Sequence, residues 1–448
     1  MPAAPRHSRL APIAPALLAA TVFTFAAGSS SIAAVGDAGR GARWAALVAL
    51  LAVAALWADG LAPPALRSRP ARAAAAFGGL ALLSATWSVA PRLTAGRAIS
   101  LCILFAAALL LAAAARPAEG AVERLLVGIL AGAVAVAVVG LLMVVAAHGD
   151  AVAPASYETP ARLRGFGENA NTSALLFALV LPIAAWATLA AGSPARRVLA
   201  ASAGLLLFAS IVASGSRGAL AGAAVGTLLP AVAWAGTRRR ALLATVAIAG
   251  AAVVGGLVQQ IPKPLPLAFV TVAARTAKAP APEPRYLNAN GKYPLDADIG
   301  GPLPGGGQPA VVRRFFSSSG RFGAWVGALH TGEQRPLLGH GFGTEQRVFV
   351  DRYYTFVGSL PENSYLGIGL QLGLLGLVGL LGLVALLAAP ARHARDRLLT
   401  AAPLGVVAAG LVVAVVQSYL YSVGNIAAVP FWVAAFLVAA AAARGARA

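Results

Sequence analysis

Apolar runs of roughly 20 residues, the length an α-helix needs to cross the hydrocarbon core of a bilayer, recur along most of this chain. They fall near 10–34, 42–58, 73–88, 93–115, 121–147, 172–191, 197–213, 218–235, 241–260, 363–388, 398–421 and 426–443. The pattern predicts an all-α, polytopic membrane protein with about twelve transmembrane helices. The third and fourth runs meet at Trp87-Ser88 and Pro91-Arg92, where a tight turn or a re-entrant dip fits. A single long polar stretch, Ile261 to Pro361, interrupts the series. It divides the chain into a first set of spans over 1–260, a long loop over 261–362, and a last set of spans over 363–448.

The loop itself has two parts. Residues 261–312 are rich in Pro and Gly, as in Gly300-Gly301 and Gly305-Gly306-Gly307, and are expected to be irregular. Residues 313–362 have a more structured character. There, Phe322, Trp325, Val326 and Leu329 recur at three- and four-residue spacing, which predicts a short amphipathic helix from Arg321 to His330. Such a helix suits the outer leaflet or the roof of a cavity. A glycine-punctuated turn, Gly339-His340-Gly341-Phe342-Gly343, follows.

Composition supports the membrane assignment: 59% of the 448 residues are hydrophobic and 11% charged, against about 25% charged in soluble domains. A formal charge of +20 would suggest nucleic acid for a soluble protein. Here the arginines sit in short connectors and no basic run is interleaved with aromatics, so nucleic acid is not an expected partner. Their placement sets orientation instead. With a cytoplasmic N-terminus, Arg6, Arg9, Arg67, Arg69, Arg72, Arg116, Arg124, Arg196, Arg197, Arg238, Arg239, Arg240, Arg392, Arg395, Arg397, Arg444 and Arg447 fall inside. The short outer loops hold Arg40, Arg43, Arg92, Arg97, Arg162, Arg164 and Arg217. Both termini are then cytoplasmic and the long loop is outside. The run Leu10 to Ala27, following Arg6 and Arg9, also fits a cleaved signal peptide; its length and the many spans after it favour an uncleaved first helix. The one cysteine, Cys102, lies in an apolar run and allows no intramolecular disulfide.

Polar groups that could support chemistry gather in four outer clusters. These are Arg162 through Asn171; Ser214-Gly215-Ser216-Arg217-Gly218; Arg321 with Trp325; and Glu362-Asn363-Ser364-Tyr365. Arg217 fits a snorkelling side chain at a helix end, yet it stands in a connector of a few residues on the side where arginine is depleted. An arginine at membrane depth costs about 2.5–3.5 kcal/mol and usually has an anionic partner; no acid is close in sequence, so a ligand anion is a candidate. Arg164 has Glu168 one turn away as a possible partner. Arg321 also fits a surface charge on the amphipathic helix. Glu362 also fits a carboxylate placed at a helix N-terminus, and Asn363 and Ser364 fit caps. His148, His330 and His340 are expected to be solvated loop residues, and neither they nor the acids show metal-ligand spacing, so no metal and no cofactor is expected. Guanidinium groups bind phosphates in a fork that lysine cannot reproduce, and a carboxylate can take a proton from a hydroxyl. That pairing suits a lipid diphosphate whose headgroup reaches the outer face.

At these clusters the chain resembles the O-antigen ligase and polymerase family of bacterial membrane glycosyltransferases. The resemblance runs through Ser84-Ala85-Thr86-Trp87-Ser88 with Pro91, Gly165 through Asn171, Ser216-Arg217-Gly218, Arg321, Trp325, Pro336 and Gly339-His340-Gly341-Phe342-Gly343. It finishes at Asn363-Ser364-Tyr365-Leu366 and Gly373-Leu374-Leu375-Gly376. It implies a multi-span, metal-independent fold of the lipid-sugar-using glycosyltransferases. It also implies a polyprenyl-diphosphate-linked glycan donor on the outer face of the plasma membrane, and a lipid or saccharide hydroxyl as acceptor. Arg164, Arg217 and Arg321 would bind the diphosphate, with Trp325 and Asn363 beside them, and Arg217 and Glu362 would act in catalysis. One departure matters: the family's ligases usually carry His immediately before the residue matching Asn363, and this chain carries Glu362. The Arg321-to-Gly332 spacing also fits the family's polymerases. The expectation is therefore an inverting glycan transferase, with a polymerase of the same family, a lipid-glycan flippase or a non-catalytic assembly partner as alternatives.

Overall fold

The computed structural model describes residues 10–30, 32–154, 161–165, 167, 169–235, 321–349 and 360–443. The expected span 241–260, the basic Arg238–Arg240, the Pro/Gly-rich 261–312 and Glu168 lie outside the described residues. The described chain is almost entirely helical. Its principal helices are α1 (Ile13–Ala27), α2 (Ala33–Trp57), α3 (Arg69–Leu83), α4 (Pro91–Ala115), α5 (Ala121–Ala146), α6 (Ala170–Ala190), α7 (Pro194–Ser214) and α8 (Arg217–Trp234). They continue as α9 (Arg321–Gly332), the one-turn α10 (Glu345–Val348), α11 (Ser364–Ala388), α12 (Arg397–Val413) and α13 (Ala428–Ala442). A two-stranded antiparallel ladder, Val152↔Leu163 and Ala153↔Arg162, pins the loop that carries Arg162.

Among the described residues, seven helices are long and apolar enough to cross a membrane: α2, α4, α5, α6, α7, α8 and the helix opening at Ser364. α1, α12 and α13 are apolar but shorter. This is a multi-pass helical membrane protein. Helices in hydrocarbon gain little from burying apolar area, and small residues let their backbones touch instead. Two such seams are visible. On α5, Gly128 and Gly132 face the α1 backbone, where a Cβ at Gly132 would stand 2.7 Å from the Ala19 carbonyl oxygen. On α8, Gly222 and Gly226 meet Gly405 and Ala409 of α12, and a Cβ at Gly226 would stand 2.7 Å from the Gly405 carbonyl oxygen. α13 runs through the middle of the bundle and is buried nearly throughout. Its Trp432 stacks edge-on against Phe105 of α4 at 4.6 Å between ring centroids.

Two departures from regular helix shape the site. The expected span 398–421 stops at Val413, and the chain stays non-helical to the start of α13. Irregular backbone survives at membrane depth where protein satisfies it, and here it does. Ser364 Oγ donates to the Gln417 carbonyl (2.6 Å) and accepts from Tyr419 N (2.9 Å), while Trp432 Nε1 donates to the Leu420 carbonyl (2.8 Å). The second departure is within α11. Gly373 adopts φ 62°, ψ −157°, a region open in practice to glycine alone. The break exposes backbone groups that the Pro336–Gly343 turn takes up: His340 N donates to Leu370 O (2.9 Å), Gly341 N to Gln371 O (2.9 Å), and Leu374 N to Pro336 O (2.8 Å). The two glycine-rich motifs of the sequence are thus the two sides of one seam. His340, expected to be solvated, is buried there with Nε2 3.3 Å from the Thr331 carbonyl oxygen.

Candidate functional site

α9 covers one side of the site. Its buried face is Ala324, Ala328 and Thr331 packed toward Leu370 of α11, while Val326 and Leu329 are exposed. Of the expected apolar stripe, Val326 and Leu329 are exposed and Trp325 is half-buried, while small side chains make the close approach to α11; the Phe322 side chain lies outside the described part. The first residue of α9, Arg321, meets the residue just before the cap of α11: Arg321 Nη2 stands 3.0 Å from Glu362 Oε2. The pair is largely shielded, at 15% and 26% side-chain exposure, which makes it stronger than a surface pair. Trp325 Nε1 donates to the Pro361 carbonyl at 3.0 Å and fixes the same turn. Gln417 Nε2, from the non-helical segment, donates to Glu362 Oε2 at 3.1 Å.

Glu362 sits at φ 49°, the one non-glycine residue with positive φ among the described residues. An L side chain there costs about 1–2 kcal/mol. The next residue explains why the geometry is kept: Asn363 caps α11, its Oδ1 accepting from Tyr365 N (3.0 Å) and Leu366 N (3.1 Å). Its backbone N donates to Ser418 Oγ at 3.1 Å. Asn363 is buried, and its side-chain oxygen is already used as a cap. Ser364, also expected as a cap, holds the 417–420 segment instead.

Two more arginines complete the arrangement. Arg217 opens α8 and lies within electrostatic reach of Arg321. Arg162 lies within reach of Arg321, Arg217 and Glu362 together. Burial first, then the charges of Arg321 and Arg217, pull the Arg162 guanidinium down to about 10, with Glu362 acting in the opposite sense. Arg162 is held by Ser214 O (2.6 Å from Nε) and Asn171 Oδ1 (2.7 Å from Nη2). Asn169 caps α6 and so sets Asn171 in place. Arg164, two residues on, turns elsewhere: its guanidinium donates to the carbonyls of Asp150 (2.7 Å) and Gly149 (3.0 Å). Sequence reasoning placed both in one cluster and selected Arg164, whereas the structure brings Arg162 to Arg217, Arg321 and Glu362. The ladder to Val152–Ala153 and the turn at Gly165 decide which arginine faces in, and neither leaves a pattern in the sequence.

The result is a cluster in which Arg162 and Arg321 lie within reach of the Glu362 carboxylate, and Arg217 lies within reach of those two arginines. Arg321 Nε is buried with no hydrogen-bond partner among the described residues. Arg217 also stands at a helix N-terminus, where the backbone already carries partial positive charge. Such a place is unfavourable for a cation and favourable for an anion.

Residues 202–381 match a family model described as O-antigen ligase. The match contains Arg217, Arg321, Trp325, Glu362 and Asn363 and both glycine-rich motifs; Arg162 precedes it. No curated protein matches the chain.

Proposed function

We propose, for a chain whose residues 202–381 carry an O-antigen ligase domain, that the protein is an inverting glycan transferase using a polyprenyl-diphosphate-linked donor. The observation that supports this reading is the clustering of Arg162, Arg217 and Arg321, two of them within reach of Glu362, with Arg321 Nε buried and without a hydrogen-bond partner among the described residues. A diphosphate would supply the missing negative charge and enough acceptor oxygens for several guanidinium forks. In this scheme the three arginines and the N-terminus of α8 hold the donor diphosphate at the outer membrane boundary. Glu362 accepts the proton of the acceptor hydroxyl as that oxygen bonds to the anomeric carbon. The bond from the anomeric carbon to the diphosphate oxygen breaks, and the electron pair leaves with polyprenyl diphosphate. Guanidinium groups fixed before the reaction stabilise the charge that develops on the leaving group, without reorganising.

Glutamate replaces histidine at the base position of this scheme, and proton transfer from a hydroxyl is open to either. Arg321 and Gln417 both bind Oε2, and in this scheme Oε1 receives the acceptor proton. The full arrangement we propose has about twelve spans, cytoplasmic termini, the long loop outside and the plasma membrane as location. Ligation to a lipid and polymerisation onto a saccharide use the same step and differ in acceptor. The test is release of polyprenyl diphosphate from such a donor by purified protein, with a glycosylated product; movement of intact donor between leaflets without bond cleavage would favour a flippase.

A further inference from the structure

Behind Glu362 lies a second carboxylate that the scheme above does not use. Glu345 opens α10 and is 3% exposed. Its Oε1 accepts from Ser418 Oγ at 2.9 Å, and its Oε2 accepts from Tyr421 OH at 2.5 Å and from Gln371 Nε2 at 3.4 Å. Those partners come from two elements: Ser418 and Tyr421 from the non-helical stretch after α12, and Gln371 from α11, beside the break at Gly373. Arg97 of α4 lies within electrostatic reach and donates to the Gly343 carbonyl, two residues before Glu345. Arg347 stands beside Arg97, and Glu362 is the nearby like charge.

The same stretch that Glu345 holds is the one that touches Glu362. Gln417 donates to Glu362 Oε2 (3.1 Å). Ser418 Oγ donates to Glu345 and accepts from Asn363 N (3.1 Å), so one hydroxyl links the buried carboxylate to the residue after Glu362. A segment without helical hydrogen bonds has its course set by side-chain contacts of this kind. We propose that Glu345 is a positioning residue: through Ser418 and Tyr421 it fixes the Gln417–Tyr421 segment in the course that presents Gln417 to the Glu362 carboxylate. This rests on the reading of Glu362 as the proton acceptor.

The arrangement is pH-sensitive. Three donors and no acceptor face Glu345 among the described partners, which suits the ionised carboxylate. Burial, with a smaller push from Glu362, lifts the group to about 7, against the pull of Tyr421, Ser418 and Arg97. When Glu345 takes up a proton its hydroxyl must donate, so the Ser418 or Tyr421 hydroxyl must rotate its own proton away and accept instead. The Gln417–Glu362 contact is then held less firmly.

The test is a pH–rate profile of the full-length protein in lipid nanodiscs, with donor and acceptor lipids extracted from the producing cell, read as release of polyprenyl diphosphate. For the wild type, kcat should rise as pH passes about 7. Glu345→Gln should lose that limb and fall by about tenfold in kcat at higher pH with donor KM unchanged, the signature of misplaced rather than missing chemistry. A Glu345→Gln profile that superimposes on the wild type overturns the proposal. Should Glu345→Gln not be monodisperse, Ser418→Ala and Tyr421→Phe carry the test, because they cut the same links while keeping the carboxylate. Both must weaken or shift the limb, and wild-type profiles in both would overturn it. Glu362→Gln separates the two ideas. Wild-type turnover there removes the base reading itself; an inactive Glu362→Gln beside an unaltered Glu345→Gln removes only the positioning role.

Discussion

Arg321 and Glu362 are 41 residues apart in sequence and meet at 3.0 Å, joining the first residue of α9 to the turn that opens the long apolar helix α11. In the proposed scheme a donor diphosphate entering the cluster competes with Glu362 for this guanidinium. Arg321→Ala should therefore raise donor KM by about tenfold or more, the scale of one charge-assisted contact. Arg321→Lys should restore only part of it, since an ammonium lacks the planar fork. Donor titrations of the three proteins check this; equal KM values would remove Arg321 from the diphosphate site.

Arg162 and Arg164 offer a sharper comparison, being near neighbours in sequence and divergent in space. Arg162→Ala should weaken donor binding by about tenfold, and Arg164→Ala by less than about threefold. The measurement is direct binding of the lipid-linked donor. The reverse order would mean that the Arg162-containing cluster is not where the diphosphate sits.

The contrast between these two arginines marks what the sequence could and could not disclose. Apolar runs such as 93–115 and 121–147 report helices because hydrocarbon length fixes their span, and α4 and α5 follow them within two residues. The end of α12 at Val413 was hidden, because Val415, Val416, Leu420 and Val423 keep the stretch as apolar as a helix would be. The break at Gly373 was hidden for a related reason: glycine is common inside membrane helices. Arg217, Arg321 and Glu362 stood out as polar groups beside membrane spans. Glu345 carried no such signal, being one acid in a polar loop whose burial depends on Ser418, Tyr421 and Gln371 arriving from elsewhere.

Glu362 at φ 49° predicts a trade of stability against activity. Glu362→Gly and Glu362→Ala both lose the carboxylate, and the glycine variant alone relieves the backbone. Glu362→Gly should be the more stable of the two by about 1 kcal/mol, with both inactive. Thermal unfolding of the pair in detergent checks this, and a more stable alanine variant would argue against strain at this turn.

Gly373→Ala should be far more damaging. A Cβ there would collide with the Leu337 backbone, and the φ/ψ it needs is closed to alanine. The loss is expected at about 3 kcal/mol or more, seen as reduced folded yield and as release of the Pro336–Gly343 turn. Faster hydrogen exchange at Gly341 and Leu374 would report that release; unchanged protection would contradict the seam.

Glu345 predicts a pH dependence of stability opposite to that of a salt-bridged acid. Its carboxyl is raised from the ordinary 4.5 to about 7 by burial, so the fold favours the protonated form. Its contribution to stability is full below the unfolded value and is lost as pH rises through about 7, on the order of 3 kcal/mol in all. The wild type should thus melt higher at about pH 5 than at about pH 8 relative to Glu345→Gln. Parallel melting curves for the two proteins across that range would rule out a titrating Glu345.

The most direct test of the central claim is turnover by Glu362→Gln in a preparation that still binds donor. The substitution keeps the size and the hydrogen-bonding oxygen of the side chain while removing its ability to take a proton. Donor affinity within about threefold of the wild type, together with a fall in kcat of about a hundredfold or more, is the expected result. Wild-type kcat in Glu362→Gln would contradict the account.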